Sequence, residues 1–217
     1  MKKYLLPGLI AVIVLAVIVV VSYSTPKRIE FLGQYPEKTK KELIGDANVI
    51  IRGAVSKIYP GKWSNPGFKR GEGIGNIIQT DIQIQIEEVF KGEPYNKKNV
   101  IVRIEEGRVG NTVAESNGYP DFKKGEEAIL FLSKDDSDVA NPQENYYVLT
   151  GAYYGKFAIR SEKVDDKLFV MAHDKDSIRL STFKKEVEDE LEYLKNNPKS
   201  KMSKEEIRQQ NEKVFGK

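Results

Sequence analysis

Apolar and polar positions divide this chain into three kinds of segment. From Leu5 to Val21 the residues are apolar on every helical face, interrupted only by Pro7 and Gly8. A spanning helix needs roughly 20 such residues, with about 17 as the lower edge, whereas a cleavable signal has a core of about 7–15. The length predicts a retained transmembrane helix over residues 1–26. A small domain offers no interior for a Val/Ile helix that is apolar all round. Ser22 and Ser24, small residues two apart and followed by Pro26, give the alternative: cleavage near Ser24 and secretion. Lys2 and Lys3 precede the run and Lys27 and Arg28 follow it, so charge barely orients it. The usual insertion of a first helix puts the N-terminus inside and the bulk of the chain outside the membrane.

Beyond the run the period is that of strands. Between Asn48 and Tyr59, Val49, Ile51 and Val55 alternate with Ile50, Arg52 and Ala54, and Gly53 marks a bend or a close backbone approach. Between Gln79 and Phe90, Ile82, Ile84 and Ile86 face one way and Asp81, Gln83, Gln85 and Glu87 the other. Val89 would fall on the polar side, so the spacing predicts a β-bulge near Glu87-Glu88, of the kind that curls a sheet toward closure. Lys91-Gly92-Glu93-Pro94 turns the chain into a hairpin partner from Asn99 to Glu105. Ala128 to Leu132 is apolar without alternation and predicts a central strand covered on both faces. Tyr146–Thr150, Tyr153–Arg160 and Lys167–Ala172 read as further short strands.

Helical spacing appears at three places. Glu37 to Asp46, entered through Pro36, carries Leu43 and Ile44 as contacts. Ser181 or Thr182 can cap a helix to about Asn196 whose stripe of Phe183, Val187, Leu191 and Leu194 must rest on the β-domain. After Asn197-Pro198, the basic segment 198–217 opens a last helix at Ser203-Lys204-Glu205-Glu206, with too few apolar residues to dock firmly.

Composition narrows the chemistry more than it suggests any. Formal charge is +3, from 35 basic and 32 acidic residues, too small an excess to indicate nucleic acid. The absence of cysteine rules out disulfides, lipoprotein attachment, zinc–thiolate sites and thiol catalysis. His173 is the only histidine, too few for a two-histidine metal site, and no nucleophile-elbow motif supplies a serine for a triad. Asp135-Asp136-Ser137-Asp138 and Asp174-Lys175-Asp176 lack the ligand spacing of a calcium loop and read as solvated turns. Glu87, Glu88, Glu105 and Glu106 read as solvation of an exposed sheet face. Nothing implies a cofactor or catalytic residues. Gly71-x-Gly73-x-Gly75 precedes a strand rather than opening a helix, so it is not a nucleotide motif.

Two long loops remain. Pro60 to Asn76 holds the single tryptophan, Trp63, with Phe68, Lys69 and Arg70 among glycines. Aromatic and cationic side chains dominate contact energetics, so these four are the candidate partner-binding residues; the plainer reading folds Trp63 back over the mouth of the sheet. Glu106 to Lys124, rich in turn residues, reads as a covering flap or a second binding loop.

Asp46-Ala47-Asn48-Val49-Ile50-Ile51-Arg52-Gly53-Ala54-Val55, Ile86-Glu87-Glu88-Val89-Phe90-Lys91-Gly92, Phe122-Lys123-Lys124-Gly125-Glu126 and Ala128 to Leu132 together carry a resemblance. Over Asp46 to Arg160 the chain resembles netrin-like modules, including the tissue inhibitors of metalloproteinases, in a Cys-less exported prokaryotic form. The resemblance implies an OB-type β-barrel with flanking helices. It implies no site residue, because those inhibitors chelate zinc through an N-terminal cysteine and this chain has none.

The sequence thus predicts a mainly β chain: an anchor over 1–26, an OB-like (netrin-like) barrel over 36–176, a packing helix over 181–197 and a basic tail over 198–217. It leads us to expect a non-catalytic binding or assembly module, tethered outside the membrane and meeting a protein or cell-surface polymer, not nucleic acid. The alternatives are a structural subunit of a membrane complex docking through its C-terminal helices, and an envelope hydrolase.

Overall fold

The computed structural model describes residues 25–33, 35–65, 76–137, 139–161, 168–171 and 177–197. The predicted anchor from Leu5 to Val21, the loop residues Phe68, Lys69 and Arg70, Asp138, the turn of His173, Asp174 and Asp176, and the tail 198–217 lie outside them. Among the described residues no helix is long and apolar enough to cross a membrane.

In chain order the elements are β1 (Lys27–Phe31), α1 (Lys40–Asp46), β2 (Val49–Ile58), β3 (Lys62–Trp63), β4 (Ile78–Lys91), β5 (Asn99–Ile104), β6 (Gly107–Val109), β7 (Thr112–Ser116), β8 (Glu127–Ser133) and β9 (Val148–Leu149). A 3₁₀ turn (Ala152–Gly155), β10 (Lys156–Ser161), β11 (Leu168–Met171), β12 (Ser177–Arg179) and α2 (Leu180–Asn196) follow. Nine strands form one sheet in the order β12-β11-β10-β8-β2-β4-β3, with β5 also on β4 and β9 also on β8; β1, β7 and β6 form a second sheet.

β8 occupies the centre, as its unbroken apolar run predicts. Ala128, Leu130 and Leu132 join Val49, Ile51, Val55, Ile82, Ile84, Val100, Val102 and Ile104 in an inner core. Ile129 and Phe131 point the other way, into an outer core with Leu43, Ile44, Phe157, Leu180, Phe183 and Val187. One strand thus seals two cores, because its successive side chains face opposite sides of the sheet.

The sheet curls because β2 and β4 do not stay in step. Arg52 pairs with Glu88 and Gly53 with Ile86, leaving Glu87 as the extra residue, where the sequence predicts a bulge. Val89 returns opposite inward-facing Ile51, yet remains 41% exposed. Phe90 is a second extra residue on β4, and Ser56 is one on β2. At Gly53 the strands approach so closely that a Cβ would lie 2.4 Å from the Gln85 carbonyl oxygen.

Curling stops short of the closed barrel that the sequence predicts. β5 meets the chain at β9 through a single parallel bridge, Val102 to Tyr147, rather than a ladder. Two hydrogen bonds make that contact, Arg103 N–H to the Tyr147 carbonyl (2.8 Å) and Tyr147 N–H to the Ile101 carbonyl (2.9 Å). The physical reason lies in the length of β9: Pro142 and the turn at 141–144 leave only Val148 and Leu149 extended along β8.

Both helices seal the outer core. Phe183, fully buried, meets the rings of Phe90, Phe131 and Phe157 edge-on at 5.9, 6.2 and 6.1 Å. α1 starts three residues later than the spacing around Pro36 suggests, because Thr39 and Glu42 form a capping box: Thr39 N–H donates to Glu42 at 2.8 Å and Glu42 N–H to Thr39 Oγ1 at 3.3 Å. α2 enters directly from β12 through Arg179, and neither Ser181 nor Thr182 caps it. Phe183→Ala is expected to cost about 3–5 kcal/mol by urea unfolding. A loss under about 1 kcal/mol would mean that α2 does not seal this core.

Candidate functional site

At the end of β2, between the curled sheet and the β6–β7 hairpin, a cleft of about 780 Å³ opens. Its apolar lining comes from Ile58, Tyr59, Ile82, Ile104, Val113 and Phe122, and its charges from Glu106, Glu115, Asp121 and Arg108. Three local devices hold those walls. The Thr80 hydroxyl donates to the Glu106 carbonyl at 2.6 Å, and Gly107 turns beside it with φ +135°, where a Cβ would lie 2.2 Å from Thr80 Oγ1. Gly61 lets the β2–β3 turn touch β6, since a Cβ there would sit 2.6 Å from the Arg108 carbonyl oxygen. Lys156, 6% exposed at its side chain, ties down the far wall: its ammonium bonds the Asp121 carbonyl, pairs with Glu126 at 2.8 Å and lies 4.5 Å from the Phe122 ring centre.

The cleft is acidic as well as apolar. Burial, then the charges of Asp121 and Glu115, push the Glu106 carboxyl above the usual range, against the hydrogen bond it accepts from the Ser116 backbone. Arg28 engages Glu115 at 3.2 Å from outside. A guest bearing an apolar group and a positive charge would replace water on the walls and relieve the repulsion around Glu106.

On the opposite face of β4 and β5 lies a polar cluster of another kind. Arg103, 3% exposed at its side chain, donates to Asp81 through Nε (2.6 Å) and NH2 (3.0 Å), pairs with Glu144 and stacks 3.7 Å from the Tyr146 ring centre. Lys62 of β3 reaches the same carboxylates, at 2.9 Å to Asp81 and 3.0 Å to Glu144. Burial works against the Asp81 carboxylate, but hydrogen bonds from Arg103 and Lys62 outweigh it and hold its pKa below the ordinary value. The Arg103 hydrogen bond does the same for Glu144, against a smaller burial cost. Next to this cluster the Tyr146 hydroxyl donates to Asp135 at 2.7 Å, and burial followed by the Asp135 charge raises Glu105, which Tyr119 bonds. Every cation here has its counter-ion, so the cluster binds β3, β4, β5 and the 141–146 turn together rather than offering a site.

Of the four candidate contact residues, Trp63 is half-buried on β3, paired with Ile78, and its neighbour Lys62 anchors the loop base. Phe68, Lys69 and Arg70 lie outside the described residues. The four glutamates do not share one solvated face. Glu87 pairs with Arg52 at 3.1 Å and Glu88 with Lys184 at 2.8 Å, while Glu105 and Glu106 are half-buried at the strand end. Asp135 accepts the Ser137 N–H at 3.0 Å, and among the described residues no three His, Asp or Glu side chains are grouped to hold a metal ion. Sequence reasoning passed over Arg103 and Glu144, which carry no motif. It also read 106–124 as one loop, although Gly110-Asn111 between short β-prone runs is a hairpin signal. No protein-family model matches the chain, and no curated protein matches it.

Arg103→Ala leaves Lys62 as the one cation between Asp81 and Glu144, and should cost about 3 kcal/mol at pH 7, the low end for breaking a buried pair because Lys62 remains and Glu144 is exposed. Carboxylates whose pKa is depressed by folding stabilise above their unfolded pKa and lose that contribution as pH falls through the folded one. The variant and the parent should therefore converge as pH drops below the ordinary carboxylate range. Urea unfolding at pH 7 and pH 3 tests this, and an equal penalty at both would exclude the ionic account.

Proposed function

We propose that the chain is a non-catalytic binding module, tethered by residues 1–26 and facing outward, which grips a protein segment in the cleft beside the Trp63 loop. The supporting observation is the cleft itself: five separate segments contribute to it, apolar side chains line much of it, and Asp121 and Glu115 lie close enough to Glu106 to act on its charge. Trp63 belongs to this reading because β3 lies against β6, which forms a cleft wall. The tether rests on the apolar run from Leu5 to Val21, and an open OB-like, netrin-like arrangement rests on the curled β2-β4-β5 and β8-β9 strands around the inner core. The ligand suited to these walls is an extended segment that pairs apolar side chains with a lysine or arginine, the complement of Glu106 and Asp121.

A second reading, docking as a subunit through the C-terminal helix, draws on one feature. α1 and α2 enclose a groove of about 420 Å³ lined by Ile44, Glu186, Asp189, Glu190 and Tyr193, with Tyr193 59% exposed.

A photocrosslinking residue in place of Tyr59, in the cleft, of Tyr193, in the helix groove, or of Tyr153, outside both, separates these readings in intact cells. Discrete adducts are expected from position 59, and Val113→Trp, which fills the cleft, or Trp63→Ala should abolish them. Adducts that survive both substitutions would sink the cleft as the binding site; adducts from Tyr193 alone would favour the helix groove. Protease added to cells with a permeable envelope should remove the β-domain, and full protection would overturn its outward placement.

A further inference from the structure

The second sheet carries a charge pattern that extends beyond the cleft it helps to wall. β1 lies parallel to β7, with Lys27 opposite Thr112 and Phe31 opposite Ser116. Its first residue is fastened to the β6–β7 turn: Lys27 N–H donates to the Asn111 carbonyl at 2.8 Å, and Asn111 Nδ2 donates to the Thr25 carbonyl at 3.0 Å. The chain therefore enters the described fold level with the hairpin turn at Gly110-Asn111.

Along this sheet the charges are sorted by height. Lys27, Arg28 and Arg108, all exposed, occupy the first two rows from the turn, while Glu30 and Glu115 face each other in the fourth row. Arg28 reaches up to Glu115 at 3.2 Å, which leaves Lys27 and Arg108 as the outward charges at the turn.

We propose that the Val109–Asn111 turn, with Lys27 and Arg108 beside it, seats the domain on the anionic lipid headgroups of the bilayer that holds its anchor. The proposal rests on the tether reading above. From Val21, the last residue of the apolar run, to Lys27 is six residues, at most about 20 Å fully extended, of which the headgroup layer takes about 5–7 Å. A tether that short cannot lift the turn far from the surface. Basic residues near an anionic surface are drawn to it, and the carboxylates are held on the side away from it. β6 and β7 also wall the cleft, so a seated hairpin fixes the cleft close to the membrane and selects partners that are themselves membrane-bound.

The chain has no cysteine, so single labels are clean. The full chain is reconstituted in vesicles of phosphatidylcholine and phosphatidylglycerol with a quencher attached to the headgroups, and carries a fluorophore at Gly110→Cys or, as a second turn position that leaves both cations in place, Val109→Cys. The reference label is Leu32→Cys, 80% exposed and about 17 Å further along β1. Several-fold stronger quenching at the turn than at Leu32 is expected, weakening when Lys27→Gln is added to Gly110→Cys and when phosphatidylglycerol is omitted. Equal quenching at both heights in vesicle-bound protein overturns the seating and leaves the tether intact. Quenching at the turn that ignores both charge changes overturns the headgroup contact. Protein that fails to float with vesicles overturns the tether and the seating together.

Discussion

Five consecutive apolar side chains at Ala128–Leu132 cannot all serve one core, because neighbours on a strand point to opposite faces. Burying them demands a layer on each side of β8, and the rest of the fold supplies those layers by different means. On one side the sheet bends over upon itself, so that Leu130 and Leu132 meet Ile51, Ile84 and Val102 from their own sheet. On the other, two helices bring Leu43, Ile44, Phe183 and Val187. α1 is only seven residues long and would not persist alone. Its place is secured by burial of Leu43 and Ile44, and by the ion pairs of Lys40 with Glu186 and Lys41 with Glu190 that tie it to α2.

Bending has a consequence at the free end. Three extra residues on β2 and β4 increase the curl, but β9 is too short to complete a ladder with β5, and the ring is joined by two backbone hydrogen bonds. Arg103 lies at that junction: its N–H makes one of the two bonds and its guanidinium gathers Asp81, Glu144 and the Tyr146 ring. A buried ion pair gives up much of its Coulombic gain to desolvation, so its value here is geometric. It fixes which residues of β5 and the 141–147 segment meet, where the ladder is too short to set the register. The cleft lies away from this seam, at the end of β2, walled by the β6–β7 hairpin and by Asp121–Phe122 under the Lys156 clamp.

Legibility in the sequence followed the range of the signal. Ile82, Ile84 and Ile86 announce a half-buried strand, and the phase slip at Val89 announces the extra residue Glu87, because both are effects between near neighbours. Thr39-x-x-Glu42 was equally local and was overlooked in favour of Pro36. Closure was over-predicted, since it depends on how far β9 runs along β8, a distance set by the turn at 141–144 and not by the pattern of either strand. β1 was not anticipated: its partner β7 is more than eighty residues away, as in the Arg28–Glu115 bond, and a parallel edge strand of five mixed residues carries no alternation to read. The cleft was invisible for the same reason. Tyr59, Ile104, Val113 and Phe122 are unremarkable where they stand and become a site only when curl, hairpin and clamp bring them together.

Trp63 and the apolar run from Leu5 to Val21 were the features that stood out in the sequence, and the β6–β7 hairpin joins the strand of Trp63 to β1, the first described strand after that run. β3, with Trp63, lies against β6 on one side of it, while β1, the first strand after the apolar run, pairs with β7 on the other. Arg28 on β1 holds Glu115, a cleft-lining residue, and Gly61 at the foot of the Trp63 loop abuts Arg108. A force on the chain at Thr25 therefore reaches the cleft through the Asn111 hydrogen bonds, the β1–β7 ladder and the Arg28–Glu115 ion pair. If the chain is tethered as proposed, a pull transmitted to Thr25 would strain the same hairpin that shapes the binding wall.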